Sequence, residues 1–137
     1  MGAEENVWTQ RVHEAFDAAC QAFHAVKARD AETIVRMARV VAEAFRARRR
    51  VYLFGNGGSA ADCQHLAAEF INRFQKERLP LPAVALTTDT SVLTSIANDE
   101  DFREVFVRQL RGLGEAGDVA VGLSTSGRSE NVLRALR

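Results

Sequence analysis

Three short apolar runs constrain the fold of this chain more than any other feature of its sequence. Residues 51–54 (Val-Tyr-Leu-Phe), 82–86 (Pro-Ala-Val-Ala-Leu) and 119–123 (Val-Ala-Val-Gly-Leu) are each followed by small or turn-forming residues and then by helical periodicity. A continuous run of that length, without polar alternation, reads as a strand buried on both faces. Strand and helix in alternation predict parallel strands joined by crossover helices, with helices on both faces of one sheet. The expected fold class is α/β, a doubly wound parallel sheet, thin at about three strands.

Ahead of the first strand the pattern is purely helical. Trp8, Val12, Ala15, Phe16, Ala19, Cys20 and Phe23 recur at intervals of three and four, and Ile34, Met37, Ala38, Val41, Ala42 and Phe45 repeat the stripe. The polar residues 27–30 separate the two stripes, and Asp30 is placed to cap the second. The spacing predicts an N-terminal helical hairpin over residues 1–50, with Phe16, Phe23 and Phe45 in its core, preceding an α/β domain over 51–137. The arginines of residues 46–50 suit the negative end of the helix dipole and carry no aromatic interleaving, so they read as a solvated last turn. Further helices are expected from the loop after residue 54 through Phe74, over 91–97, over 101–113 and from Ser129 onward.

Charge and cysteine usage narrow the function classes. Eighteen basic residues balance eighteen acidic ones, which leaves no overall field to hold a nucleic acid or an anionic membrane by counterion release. Cys20 and Cys63 fall inside helical patterns with no paired spacing, which fits a reducing compartment better than a disulfide framework. No basic stretch followed by an apolar run opens the chain, and nowhere do eighteen consecutive apolar residues occur. A cytoplasmic protein is expected, with neither nucleic acid nor membrane as partner.

In open parallel sheets ligands bind beyond the carboxyl ends of the strands. Ser124, Thr125, Ser126 and Gly127 leave the third strand and open a helix, with Ser129 in its first turn. Hydroxyls, free backbone N–H groups and a positive dipole end suit a phosphate, and the competing reading is that the serines only cap the helix. Asn56, Gly57, Gly58 and Ser59 put glycines where the backbone must bend sharply or lie close to a ligand. They match neither GxGxxG nor GxxxxGK, so nucleotide readings lack their defining residues. His65 and Glu69, four residues apart on the following helix, share one face and suit a metal or a proton transfer, although two residues do not complete a zinc site. Asn98 and Asp99 end a helical stretch, where Asp99 could bind a sugar hydroxyl or cap the next helix. His13 and His24 lack convergent carboxylates and read as structural or surface residues.

Three segments in this order, GNGGSAADCQHLAAEF, TTDTSVLTSIAND and LSTSGRSENVLRAL, resemble the sugar isomerase (SIS) domain family, most of all its phosphoheptose isomerase branch. The resemblance implies a flavodoxin-like sheet of five parallel strands, assembled as a homotetramer in which neighbouring subunits contribute to the site. It implies conversion of the sugar phosphate sedoheptulose 7-phosphate to D-glycero-D-manno-heptose 7-phosphate through an enediol, for lipopolysaccharide or other surface glycans. Carried over residue by residue, Asn56, Gly57 and Gly58 line the sugar, Asn98 and Asp99 lie near its hydroxyls, and Ser124, Thr125, Ser126 and Ser129 hold phosphate and sugar. Glu69 is the acid/base carboxylate, and with His65 it matches a zinc-ligand pair. The last two strands and a C-terminal helix bearing a glutamine and a histidine are not in this sequence, so the 137-residue form is expected to be weakly active or inactive. Two rivals share the family. One is a non-catalytic adaptor that binds a replication-initiator protein, which lacks the carboxylate that this chain keeps as Glu69. The other is a sugar-phosphate sensor of transcription, for which no helix-turn-helix precedes the hairpin.

Overall fold

The protein is described from a computed structural model covering residues 2–137, with side chains from Asn6 onward. Its contacts divide it into two units, Met1–Arg39 and Val40–Arg137. Residues 2–39 of the first unit belong to α1 (Gly2–Arg46), a single uninterrupted helix rather than the expected hairpin. The reason is local. No glycine or proline occurs between Ala3 and Phe54, and lysine, alanine and arginine at 27–29 are good helix formers. Asp30 does not cap a second helix, because its carboxylate accepts hydrogen bonds from Nε and Nη2 of the adjacent Arg29. Of the three phenylalanines expected in the core, Phe16 is 69% and Phe23 77% exposed in this chain, whereas Phe45 packs against Phe70.

The second unit carries the sheet. α1 ends at Arg46; two residues on, Arg48 has a left-handed φ of 56°, and the N–H of Arg49 reaches back to the carbonyl of Ala44. This is a Schellman-type closure that lets the chain turn into β1 (Val51–Gly55). The basic run beyond the helix is engaged locally, with Arg49 and Arg50 both pairing with Glu115. The order continues with α2 (Gly58–Ile71), β2 (Ala83–Ala85), α3 (Thr90–Asp99), a 3₁₀ turn (Phe102–Glu104), α4 (Val105–Leu113), β3 (Val119–Leu123) and α5 (Glu130–Ala135). The strands are parallel in the order β2-β1-β3, with Val51 opposite Ala83 and Val119. α2 stops at Ile71, three residues short of the expected Phe74, and its end is closed by the Asn72 N–H on the carbonyl of Ala68.

Alternation along β1 builds two cores. Val51 and Leu53 face Cys63 and Ala67 of α2, with Val41, Phe45 and Phe70 packed around them. Tyr52 and Phe54 face Val105, Phe106 and Val132, with Leu93 and Ile96 of α3 alongside. The rings of Phe54 and Phe106 lie 5.2 Å apart, close enough to add to simple area burial. Each fully buried apolar side chain here contributes about 1.5–3 kcal/mol relative to exposure. Gly122 lets α5 close onto the sheet, since a Cβ there would lie 2.7 Å from Val132 and 3.1 Å from Phe54. Among the described residues no helix is long and apolar enough to cross a membrane.

Candidate functional site at the carboxyl rim

All three strands are parallel, so their carboxyl ends share one rim. α2 packs on one face and α5 on the other. The chain therefore leaves β1 and β3 in opposite directions, which opens the crevice where such sheets hold ligands. Two loops border it. After β1, Gly55 is packed so closely that a Cβ would lie 2.8 Å from the carbonyl oxygen of Leu123, at the end of β3. Gly57 then adopts φ +54° and ψ −123°, a conformation that a residue with a side chain holds only under strain.

After β3, the hydroxyls gather. The Oγ of Ser124 lies 3.1 Å from the Oγ of Ser129 and 3.5 Å from that of Ser126, while the Ser126 hydroxyl also accepts from the N–H of Arg128. Thr125 stands exposed beside them. Ser129 occupies the N-cap position of α5 but makes no side-chain cap bond. Its hydroxyl is turned toward Ser124 instead, so the capping reading does not describe it. The hydroxyl-to-hydroxyl contacts at this half-exposed loop can be exchanged for an anion's oxygens at little cost, because each hydroxyl can rotate to donate.

The two loops are joined by a residue that sequence reasoning did not single out. Nδ2 of Asn56 donates to Oδ1 of Asn131 (2.9 Å), and Nδ2 of Asn131 donates back to Oδ1 of Asn56 (2.8 Å). Asn131 is only 3% exposed. Its one sequence signal is a polar residue beside the apolar positions Val132, Leu133 and Leu136. Gln64 is a second such residue, and it ties α2 to the loop after β2 by donating to the carbonyl and hydroxyl of Thr87.

His65 and Glu69 do not join this cluster within one chain. Their Nε2 and Oε1 are 3.7 Å apart, with the side chains 73% and 30% exposed. α2 starts at the rim, and eleven residues of helix carry Glu69 about 16 Å along its axis from Gly58. The far end is fixed independently: the N–H of Leu81, just before β2, donates to the carbonyl of Phe70. The carboxylate thus sits toward the amino ends of the strands, away from the serine loop of its own chain. Zinc takes three or four protein donors, and among the described residues no group of three His, Cys, Asp or Glu comes together to hold a metal. Cys63 offers no thiolate, since burial, with a smaller effect of Asp62, raises its pKa to about 11.

Asn98 and Asp99 lie exposed at the end of α3, where Asn98 Nδ2 donates to the Asp99 carboxylate at 2.7 Å. Asp99 does not cap the 3₁₀ turn beyond α3. Asp101 does, accepting the N–H of Arg103. That turn is held to α5 by the Arg134–Glu104 ion pair.

The profile of the SIS domain matches residues 15–137. The chain belongs to the SIS domain family. A phosphoheptose isomerase of Aquifex aeolicus is 57% identical over 107 residues, covering 78% of this chain and 56% of that protein. One of Desulfovibrio desulfuricans is 67% identical over 87 residues, covering 64% and 41%. The solved phosphoheptose isomerase of Neisseria gonorrhoeae superposes with a TM-score of 0.87 at 43% identity, over 94% of this chain and 67% of that one. This SIS domain therefore spans about half the length of the curated relatives it matches.

Proposed function

We propose that this SIS domain belongs to an isomerase that interconverts sedoheptulose 7-phosphate and D-glycero-D-manno-heptose 7-phosphate. The observation that carries the reading is the convergence of the Ser124, Ser126 and Ser129 hydroxyls at the switch point of the sheet, next to Asn56 and Gly57. The likeness of the chain to phosphoheptose isomerases supports it.

In this reading the serine loop, with Thr125, grips the phosphate, and Asn56, Gly57 and Gly58 line the sugar. Asn98 and Asp99 face its hydroxyls. Holding the phosphate converts remote binding energy into orientation of the reacting carbons. Glu69 takes the proton from the carbon beside the carbonyl and returns it to the former carbonyl carbon through an enediol, a role contributing about 10² to 10⁴-fold. Because Glu69 lies far along α2 from its own rim, it acts on sugar held by a neighbouring subunit. A homotetramer supplies that neighbour. Exposed Val7, Trp8, Val12, Phe16 and Phe23 on α1 offer apolar surface for such an assembly. His65 and Glu69 are proposed as two donors of a zinc site completed by groups outside the described residues, where zinc would polarise substrate oxygens.

Product analysis after incubating the full-length protein with sedoheptulose 7-phosphate, with and without a chelator, tests this. Aldose product is expected from the parent, and turnover is expected to be lost in Glu69→Gln while sugar phosphate still binds. Turnover retained in Glu69→Gln removes that carboxylate from proton transfer. Absence of product from the parent favours a non-catalytic adaptor.

A further inference from the structure

Asn131 is the buried polar side chain that links the two ligand loops. It is nearly sealed from solvent, and it spends both ends of its amide on one partner 75 positions away. Its Oδ1 also accepts the N–H of Val132 at 3.0 Å. The amide is thus locked into the start of α5 on one side and into the β1–α2 loop on the other. Gly55 presses against the carbonyl of Leu123 directly beneath. The two ligand loops are therefore rooted together, and among the described residues this pair makes the side-chain hydrogen bonds between them.

A buried reciprocal amide pair has one good geometry, since moving either partner leaves a donor and an acceptor unpaired together. Displacement of the serine loop is transmitted to Asn56, and the reverse. We propose that Asn131 is a positioning residue that couples the phosphate loop to the sugar loop, so that an anion seated by Ser124, Ser126 and Ser129 fixes the position of Asn56. The proposal rests on the phosphate reading of the serine loop and adds a direction to it. Phosphate engagement would precede and order the surface that receives the sugar, and a sugar lacking phosphate would meet a less ordered Asn56.

Amide NMR of the 137-residue chain titrated with inorganic phosphate separates the possibilities. In the parent, resonances of residues 124–129 are expected to shift, and those of Gly57 and Gly58 are expected to shift with the same midpoint. In Asn131→Ala the first set should still move and the second set should stay still. Asn131→Asp keeps the acceptor that Asn56 and Val132 use but sets a second, charged acceptor oxygen against Asn56 Oδ1 in place of the donor, so the Gly57 and Gly58 response should stay reduced. It also serves as the folded control if the alanine variant fails to fold, with Tyr52 and Phe106 resonances reporting an intact core. A Gly57 and Gly58 response undiminished in both variants overturns the coupling, as does a parent in which only residues 124–129 respond. No response anywhere in residues 124–129 of the parent removes the phosphate site itself, and with it the basis of the coupling.

Discussion

β1 and β3 read alike in the sequence, as five residues rich in apolar side chains that end in a loop of small polar residues, yet the structure treats them differently. Every residue of β1 is buried, whereas Val119, Val121 and Leu123 of β3 are only half-buried. The difference is one of neighbours. β1 is hydrogen-bonded on both sides and covered by α2 on one face and by α4 and α5 on the other. Among the described residues β3 pairs on one side, with β1. An apolar run states how much covering a strand calls for, and the rest of the chain decides how much it receives.

The largest expected effect sharpens this contrast. Phe54→Ala empties the middle of the second core and should destabilise the domain by about 3–5 kcal/mol, whereas Leu123→Ala should cost less than the roughly 2 kcal/mol lower end for a fully buried leucine. Denaturant midpoints for the two variants measure the gap, and equal losses would break the comparison. A smaller effect isolates a bond that only β1 makes. The Tyr52 hydroxyl donates to the carbonyl of Leu113 at 2.7 Å, and Tyr52→Phe should cost about 1 kcal/mol in the same assay. The smallest effect lies at the surface, away from both strands. Arg103, through its side chain and then its backbone N–H, holds the Asp101 carboxyl at about 2, below its ordinary 3.8. A depressed carboxylate stabilises the fold above its ordinary range, and that contribution fades as pH falls from 3.8 toward 2. An NMR titration of Asp101 with its midpoint near 3.8 would show that the pair does not persist in solution.

The same contrast explains what the sequence discloses. The three strands are legible because an apolar run between turn signals has few alternatives, and the serine loop is legible because it comes directly after the third of them. The expected hairpin fails because a polar interruption at residues 27–30 is not a break where nothing disfavours a helix. Phe16 and Phe23 show periodicity without revealing what, if anything, covers them. Glu69's distance from the rim is contained in the spacing, since helical rise from Gly58 gives it directly. The Asn56–Asn131 pair is not, because no local rule joins two amides 75 positions apart.

The central claim is that the serine loop after β3 holds the phosphate of a sugar phosphate whose carbon chain runs toward Asn56. A crystal structure of the chain grown with sedoheptulose 7-phosphate tests it most directly. Phosphate oxygens within hydrogen-bonding distance of Ser124, Ser126 and Ser129, with the direct contacts between those hydroxyls replaced, are the result expected. Sugar phosphate bound elsewhere, with the Ser124 and Ser129 hydroxyls still facing each other, would contradict it.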